Sequence, residues 1–474
     1  MTTLISAPSS YRNIEMSDEE LNQHMLIIGT TGAGKTNTIL NFVDSAILRN
    51  LPCIYLDGKG SVDLIDKLGS LATKYNRVFK VFTLRPDENI PNLAAYNTFS
   101  AGNATEWKNR IMSLFAEAQG KGQEHFSLAE QNYINFVSNV LYQHSQKTGH
   151  TVDLKILLSF LENPDLLEKL ANTVDPILAG KLEKIHNDKE TKHMATDVVR
   201  LLELFIYSSY GGLLSTDGKS NIINLRESIL NNEVVLFLFD ASAYPEDSKK
   251  MAKMVINDIN SCFSSFREFT KCFCIFDEFG SYASSNLAET ISLQRSQGMH
   301  AIIGTQSITT VKLKSSETRR IAEELIACCN SFIIHRVNHA DDAEIFAQVI
   351  GTKNSAEYST TIYDKPLNSN KIDIFRRKNE NEDLPRAIGN MSIVEKYKIN
   401  PEEIKTLKQG EAIIYRKVTN NEAIKIQIRD VFGLAKAPEL PKLPPRRNPL
   451  QSELIIWGAV AIGILVLIIR CTHT

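Results

Sequence analysis

The stretch HMLIIGTTGAGKTNTILNFV, residues 24–43, decides the fold class. Met25 to Ile28 form a short apolar run of the kind that makes a buried parallel strand. Small residues follow from Gly29 to Gly34, and Lys35-Thr36 then opens an apolar-periodic segment that reads as a helix. The pattern G-x-x-x-x-G-K-[ST] is complete, with Gly32 as an extra glycine inside the turn. A turn of this composition lets successive backbone N–H groups point at one phosphate, and the helix amino end adds partial positive charge. Gly29, Thr30, Thr31, Gly32, Ala33, Gly34, Lys35, Thr36 and Asn37 are therefore the expected nucleotide contacts. Lys35 supplies a point charge for the β- and γ-phosphates, and the Thr36 hydroxyl is a Mg²⁺ ligand. A strand before and a helix after give the motif the context that separates it from a flexible glycine turn. The sequence predicts a nucleoside triphosphate site in an α/β domain with a mostly parallel sheet.

Composition narrows the setting. With 474 residues, 43% of them hydrophobic, and a net charge of −2, the chain has ample core and no global basicity that would announce nucleic acid. Its seven cysteines contain no C-x-x-C pair, which argues against a disulfide or zinc framework. Cys272 and Cys274 alternate along one apolar run, as core residues do. The first residues are polar and carry no signal-peptide pattern. The other end differs: Leu454 to Ile469 is uncharged and apolar after PKLPPRRNP. It falls a little short of the roughly 20 residues that cross a bilayer, and its flanks can snorkel. Lys442, Arg446 and Arg447 set positive charge on the side of the nucleotide-binding region. The expectation is a membrane tail anchor over 453–470 behind a Pro/basic linker over 436–452, with the bulk of the chain cytoplasmic.

Outward from the phosphate loop, LPCIYLDGKGS gives a second buried strand, and Val78 to Leu84 a third. From about Thr98 to Tyr210 the periodicity is helical with almost no strand signal, which predicts an all-α domain (98–212) inserted into a nucleotide-binding domain formed by 1–97 and 213–435. The sheet resumes with EVVLFLFD, and KCFCIFDEFGSYAS then places Asp277-Glu278 at a strand's carboxyl end, where open α/β sheets bind ligands. Asp277 is expected to hold Mg²⁺ and Glu278 to orient the attacking water. LQRSQGMHAIIGTQS follows with Gln306 at the next strand end, beside that pair if the sheet is parallel. Arg295, before this strand, is too far along to serve its own nucleotide and is the first candidate for an arginine reaching a neighbouring subunit; Arg319 and Arg320 are reserves.

Taken together, GTTGAGKT, YLDGKG, FDEFGSY, QRSQGMHAIIGTQS, NSFIIHRVNHADDAEIFAQVIG and LKQGEAIIYR resemble the TraG/TraD family of conjugation coupling ATPases of type IV secretion systems, and more distantly the FtsK and HerA translocases. The resemblance runs from about Ile14 to Ile428. It implies a RecA-like fold, ATP with Mg²⁺, a homo-hexameric ring passing single-stranded DNA, relaxosome or secretion-channel partners, and an inner-membrane location. It also implies Lys35 and Thr36 on phosphate and metal, Asp277 as metal ligand, Glu278 as catalytic acid, Gln306 as sensor and Arg295 near the trans arginine. Family members usually carry transmembrane helices ahead of the phosphate loop, whereas here the apolar span follows the ATPase region. An FtsK/HerA-like translocase unconnected to secretion, and a nucleotide-dependent docking platform, are the alternatives.

Three stretches read as structural. His335 and His339 would share a helix face, but Arg336 stands where a zincin needs Glu. KLEKIHNDKETKHM (181–194) reads as a solvated helix face. Ser355 to Glu382 reads as a flexible excursion.

Overall fold

The structure is a computed structural model that describes residues 2–4, 14–87, 89–114, 128–187, 189–362, 387–419 and 422–432. Among these, nine strands form one sheet. In chain order they are β1 (Met25–Ile28), β2 (Cys53–Asp57), β3 (Phe79–Thr83), β4 (Val234–Leu238), β5 (Cys272–Asp277), β6 (Met299–Thr305), β7 (Ser331–Ile334), β8 (Glu411–Arg416) and β9 (Ala423–Gln427). Their spatial order is β9-β8-β7-β1-β6-β5-β2-β4-β3. All pairings from β7 to β3 are parallel, and β8 and β9 join antiparallel at the far edge.

The parallel strands are buried on both faces, which is why they read as unbroken apolar runs rather than alternating ones. Helices Lys35–Leu48 and Asp63–Lys74 pack one face through Ile39, Phe42, Leu64 and Leu68. Helices Pro245–Ser265, Ser285–Gln294, Ser316–Cys328 and Ala340–Ile350 cover the other. Because the strands run parallel, the turns after β1, β5, β6 and β7 all emerge at one edge, and the functional residues meet there.

Between β3 and β4 the chain leaves the sheet. It departs through Ala95–Tyr96 and returns through Ile222–Ile223, two short strands paired in parallel. Helices Ala104–Ser113, Leu128–Thr148, Leu154–Glu162, Pro164–Val174, Pro176–Asn187 and Lys189–Ile206 lie between them. The first starts on a capping box, in which the Asn103 side chain takes the Glu106 amide and Glu106 reaches back to the Asn103 N–H. This helix docks on Pro245–Ser265 through Arg110 and Asp258, a wholly buried ion pair 3.0 Å apart. Arg110 also donates to the carbonyls of Thr98 and Ala101, and Tyr96 donates its hydroxyl proton to Asp258. Burial pushes the Asp258 carboxyl up to about 6, and the guanidinium beside it pulls the other way.

Three local expectations change. The polar lead-in carries strand Glu15–Ser17, paired with Thr2–Leu4, and the short helix Asp18–Leu21, whose capping box uses Ser17 and Glu20. The face at 181–194 is not wholly solvated: the His186 ring lies between Tyr133 and Glu168, with Nδ1 2.5 Å from Glu168 Oε1. The stretch from Ser355 begins as strand, since Thr352–Ile362 pairs antiparallel with Ala387–Tyr397. Backbone pairing in a two-stranded ribbon needs no apolar face, so a search for apolar periodicity misses it. The remainder of that excursion, 363–382, and the expected linker and membrane tail lie outside the described residues. Among the described residues no helix is long and apolar enough to cross a membrane.

Candidate functional site

The phosphate loop closes between β1 and helix Lys35–Leu48. Gly32 and Gly34 take positive φ of 76° and 118°, conformations that side-chain-bearing residues rarely adopt. Neighbouring strand ends clamp the loop: Gly29 N donates to Thr305 O at 3.3 Å and Thr30 N to Arg336 O at 2.8 Å. Lys35 is 6% exposed, and its ammonium donates to the Gly29 carbonyl at 2.8 Å.

The acids and the glutamine converge on that ammonium. Glu278 Oε1 lies 3.6 Å from Lys35 Nζ and accepts from Gln306 Nε2 at 3.0 Å. Gln306 Oε1 in turn accepts from the Thr31 hydroxyl at 3.2 Å. Three separate strand ends, β1, β5 and β6, thus meet in one polar circuit. Lys35, Thr31, Glu278 and Gln306, named from sequence, are brought together.

Glu278 is held in a left-handed conformation, φ 51° and ψ 38°, at a cost of about 1–3 kcal/mol for a residue with a side chain. Two bonds fix it there: its N–H donates to Asp277 Oδ1 at 2.9 Å, and its carbonyl accepts the Ser281 hydroxyl at 2.8 Å. Asp277 is 4% exposed and takes the Tyr55 hydroxyl on its other oxygen at 2.8 Å. Burial, and then the Glu278 charge, raise the Asp277 carboxyl above its ordinary range, while the Tyr55 bond and Lys35 oppose the shift. Asp57, at the end of the adjoining strand β2, is pushed up to about 6 by burial although the amides of Ser61 and Lys59 bond its carboxylate. A cation at this edge would relieve the crowding of Asp57, Asp277 and Glu278, so the donor set fits a divalent metal held by Asp277 and Thr36.

Beside Glu278 and Gln306 a cleft of about 450 Å³ opens, with Thr30, Ser281, Lys314 and Asn338 on its walls. The helix Ile308–Lys314 that follows Gln306 is anchored by buried Asp342, whose Oδ1 accepts both the amide and the hydroxyl of Thr309 at 2.8 Å.

Other residues lie elsewhere. Asn37 turns away from the loop and donates to Arg429 O at 3.0 Å. Arg295 is exposed at the start of the short helical turn before β6, at the sheet edge opposite the phosphate loop. The length of that strand sets it roughly 20 Å from its own chain's site. His335 and His339 do not share a helix face, because β7 ends at Ile334 and the next helix begins at Ala340. Among the described residues no group of His, Cys, Asp and Glu could hold a metal by itself. Tyr55, Asp57, Asp342 and His335 were not singled out from sequence as parts of this site; only YLDGKG, ending a buried strand in an acid, signalled Asp57.

Strand order, phosphate loop and acid pair define an α/β fold with a largely parallel sheet and a phosphate-loop nucleotide site. Two segments match family models: residues 8–86 that of the type IV secretion-system coupling protein DNA-binding domain, and residues 271–391 that of the TraM recognition site of TraD and TraG. The type 4 coupling protein DotL of Legionella pneumophila is 19% identical over 364 residues, covering 64% of this chain and 46% of that protein. The chain thus spans about half the length of this curated relative. The unbound monoclinic form of the bacterial conjugative coupling protein TrwBdeltaN70 aligns with TM-score 0.61 at 14% identity, covering 93% of this chain and 91% of that one. The plasmid coupling protein TrwB in complex with ADP and Mg²⁺ gives 0.56 at 14% identity, covering 91% and 88%. TrwB with the non-hydrolysable GTP analogue GDPNP gives 0.57, again at 14% identity, covering 91% and 89%. On both sides of the helical insertion the chain matches the coupling proteins, and the resemblance to TraG/TraD-type coupling ATPases of type IV secretion systems stands.

Proposed function

We propose that this chain is a membrane-tethered motor that hydrolyses ATP and couples turnover to the passage of DNA or nucleoprotein in conjugative transfer or type IV secretion. The observation that carries this reading is the Lys35–Glu278–Gln306–Thr31 circuit, built in a chain that matches coupling-protein domains. The substrate is ATP with its Mg²⁺; the ADP and Mg²⁺ bound to TrwB support that choice.

In this mechanism the amides of residues 29–34 cradle the β-phosphate, and Lys35 leaves Gly29 O to neutralise the β- and γ-oxygens. Thr36 and Asp277 hold the metal that accompanies the nucleotide. Glu278, released from Lys35, orients a water for in-line attack and takes its proton, a role worth about 10²–10⁴-fold in rate. Gln306 contacts both Glu278 and the loop residue Thr31, so loss of the γ-phosphate changes its partners and reports hydrolysis. Arg295 cannot reach its own site and serves a neighbour's, which makes the working unit a ring, a homo-hexamer by resemblance. A trans arginine contributes about 10³–10⁵-fold in phosphoryl transfer. The helical region 98–212 is a domain inserted into the nucleotide-binding domain and faces the cytoplasm. DNA is gripped through its phosphates without regard to sequence, with relaxosome or channel proteins as partners. Leu454 to Ile469 anchors the chain in the inner membrane.

The test is ATP hydrolysis by the full chain in detergent, with and without single-stranded DNA. Turnover is expected to rise with DNA, to fall steeply with salt and to vanish in Lys35→Ala. Equal hydrolysis by Lys35→Ala removes the reading, and turnover indifferent to DNA replaces the motor with a nucleotide-dependent docking platform.

A further inference from the structure

His335 to His339 form a sequence feature considered for chemistry that the mechanism above leaves unused. His335 directly follows β7, and its ring lies fully buried beneath the phosphate loop. Its N–H donates to Ile28 O at 2.8 Å, which locks the residue to the end of β1. Both ring nitrogens are engaged. Nδ1 lies 3.0 Å from the Glu411 carbonyl, which can only accept, so Nδ1 carries the proton. Nε2, 2.8 Å from Thr38 Oγ1, is then the acceptor of the threonine hydroxyl. Burial lowers the imidazole's pKa to about 4, so this neutral tautomer is the form present at neutral pH.

The loop is built against this ring. A Cβ on Gly29 would fall 2.5 Å from His335 Cβ, far inside contact distance. Gly29 does not have positive φ, so the turn does not require glycine there; the close approach of the His335 Cβ does, with the ring's Cγ at 3.4 Å. At the loop's other end, a Cβ on Gly34 would meet His335 Cε1 at 3.4 Å and the Gly410 backbone at 3.4 Å. Gly410 N also donates to Ala33 O at 3.0 Å. Thr38 Oγ1 sits 3.2 Å from Gly34 O, so the residue that meets the ring also meets the last glycine of the motif.

We propose that His335 is a positioning residue for the phosphate loop: it bears on Gly29 and Gly34, holds Thr38 and Glu411 through its two nitrogens, and thereby sets where Lys35 and the loop amides meet a β-phosphate. It touches no substrate atom itself. The proposal rests on the nucleotide reading above, and its test therefore uses binding rather than turnover.

The full chain in detergent is titrated with MgADP and separately with AMP, which lacks the β-phosphate, and the melting temperature of each variant is recorded. His335→Ala is expected to weaken MgADP binding about tenfold or more and to leave AMP binding unchanged. His335→Gln, whose amide can reach Thr38, recovers most of the loss, and His335→Asn, which reaches only Glu411, recovers less. Should His335→Ala fail to fold, Thr38→Val removes the hydroxyl partner alone and is expected to show the same selective loss. MgADP binding as in the wild type, or an equal loss for MgADP and AMP, overturns the proposal for whichever variant folds. A wild-type chain that binds no MgADP refutes the nucleotide reading itself, an outcome distinct from an insensitive variant.

Discussion

Gly304 offers the sharpest test of how the acid pair is aimed. It lies inside β6, in register with Ile27 on β1 and one residue past Ile303, which pairs with Phe276 on β5. A Cβ at position 304 would stand 2.6 Å from Asp277 Oδ1 and 3.1 Å from Ile39 Cδ1, where ordinary contact begins near 3.4 Å. In Gly304→Ala the carboxylate oxygen must therefore retreat by about 0.8 Å, or β5 and β6 must part. That same oxygen accepts the Glu278 amide, the bond that keeps Glu278 left-handed and turned toward Lys35 and Gln306. One methyl group thus displaces together the residues proposed as metal ligand, Asp277, and as water-orienting acid, Glu278. Overpacking of this kind costs about 1–3 kcal/mol of stability. A displacement approaching 1 Å at the reacting centre costs on the order of 10²-fold in rate. Gly304→Ala is expected to melt lower, to bind nucleotide normally without Mg²⁺ and to hydrolyse ATP about 100-fold more slowly. The assay pairs single-turnover hydrolysis with metal-free nucleotide binding. A variant that melts lower yet turns over within threefold of wild type would refute the placement of Asp277 at the reacting centre.

Three further outcomes follow from the same geometry. Asp258→Ala leaves the Arg110 guanidinium buried without its counter-charge, a change worth about 3–5 kcal/mol, so the urea midpoint should fall accordingly; a shift under about 1 kcal/mol means that the pair does not dock the helical insertion. Asp57 has a folded-state pKa raised from 3.8 to about 6, so its contribution to stability is present below pH 4 and is lost as pH rises through 6, roughly 3 kcal/mol in all. Without Mg²⁺, Asp57→Asn should flatten the fall in stability between pH 4 and 6, and parallel wild-type and variant curves would contradict the burial argument. Arg295→Ala and Glu278→Gln subunits, each inactive alone, should regain part of the ATPase when mixed if Arg295 acts between copies; no recovery at any ratio leaves that arginine a surface residue.

Much of the sheet was legible because parallel strands buried on both faces leave short apolar runs, and because chemistry sits at their carboxyl ends. Val78–Leu84, EVVLFLFD and CFCIF each fall on a strand of the observed sheet. The Lys35, Glu278 and Gln306 convergence was readable for a related reason: in a parallel sheet, residues at strand ends share an edge, so order along the chain translates into proximity. The ribbon from Thr352 escaped because its pairing is carried by the backbone and needs no periodic apolar face.

The residues behind the site were hidden for a different cause. A phosphate motif specifies the side of the loop that faces the ligand, and the same glycines also serve whatever packs on the other side. Gly29 reads as a turn residue, yet its φ is ordinary and the atom it makes room for belongs to His335, some 300 residues on. Gly304 carries no signal of its own in the sequence, yet it makes room for a carboxylate. Tyr55 reads as core, and it is core, but its hydroxyl donates to Asp277. In each case the informative partner is distant in sequence and the contact is made by a Cβ, a ring edge or a single hydroxyl, none of which leaves a period or a spacing. Glycines with unremarkable backbone angles beside a functional strand end are therefore the places to search for such partners, since a missing side chain there marks a neighbour that came too close to permit one.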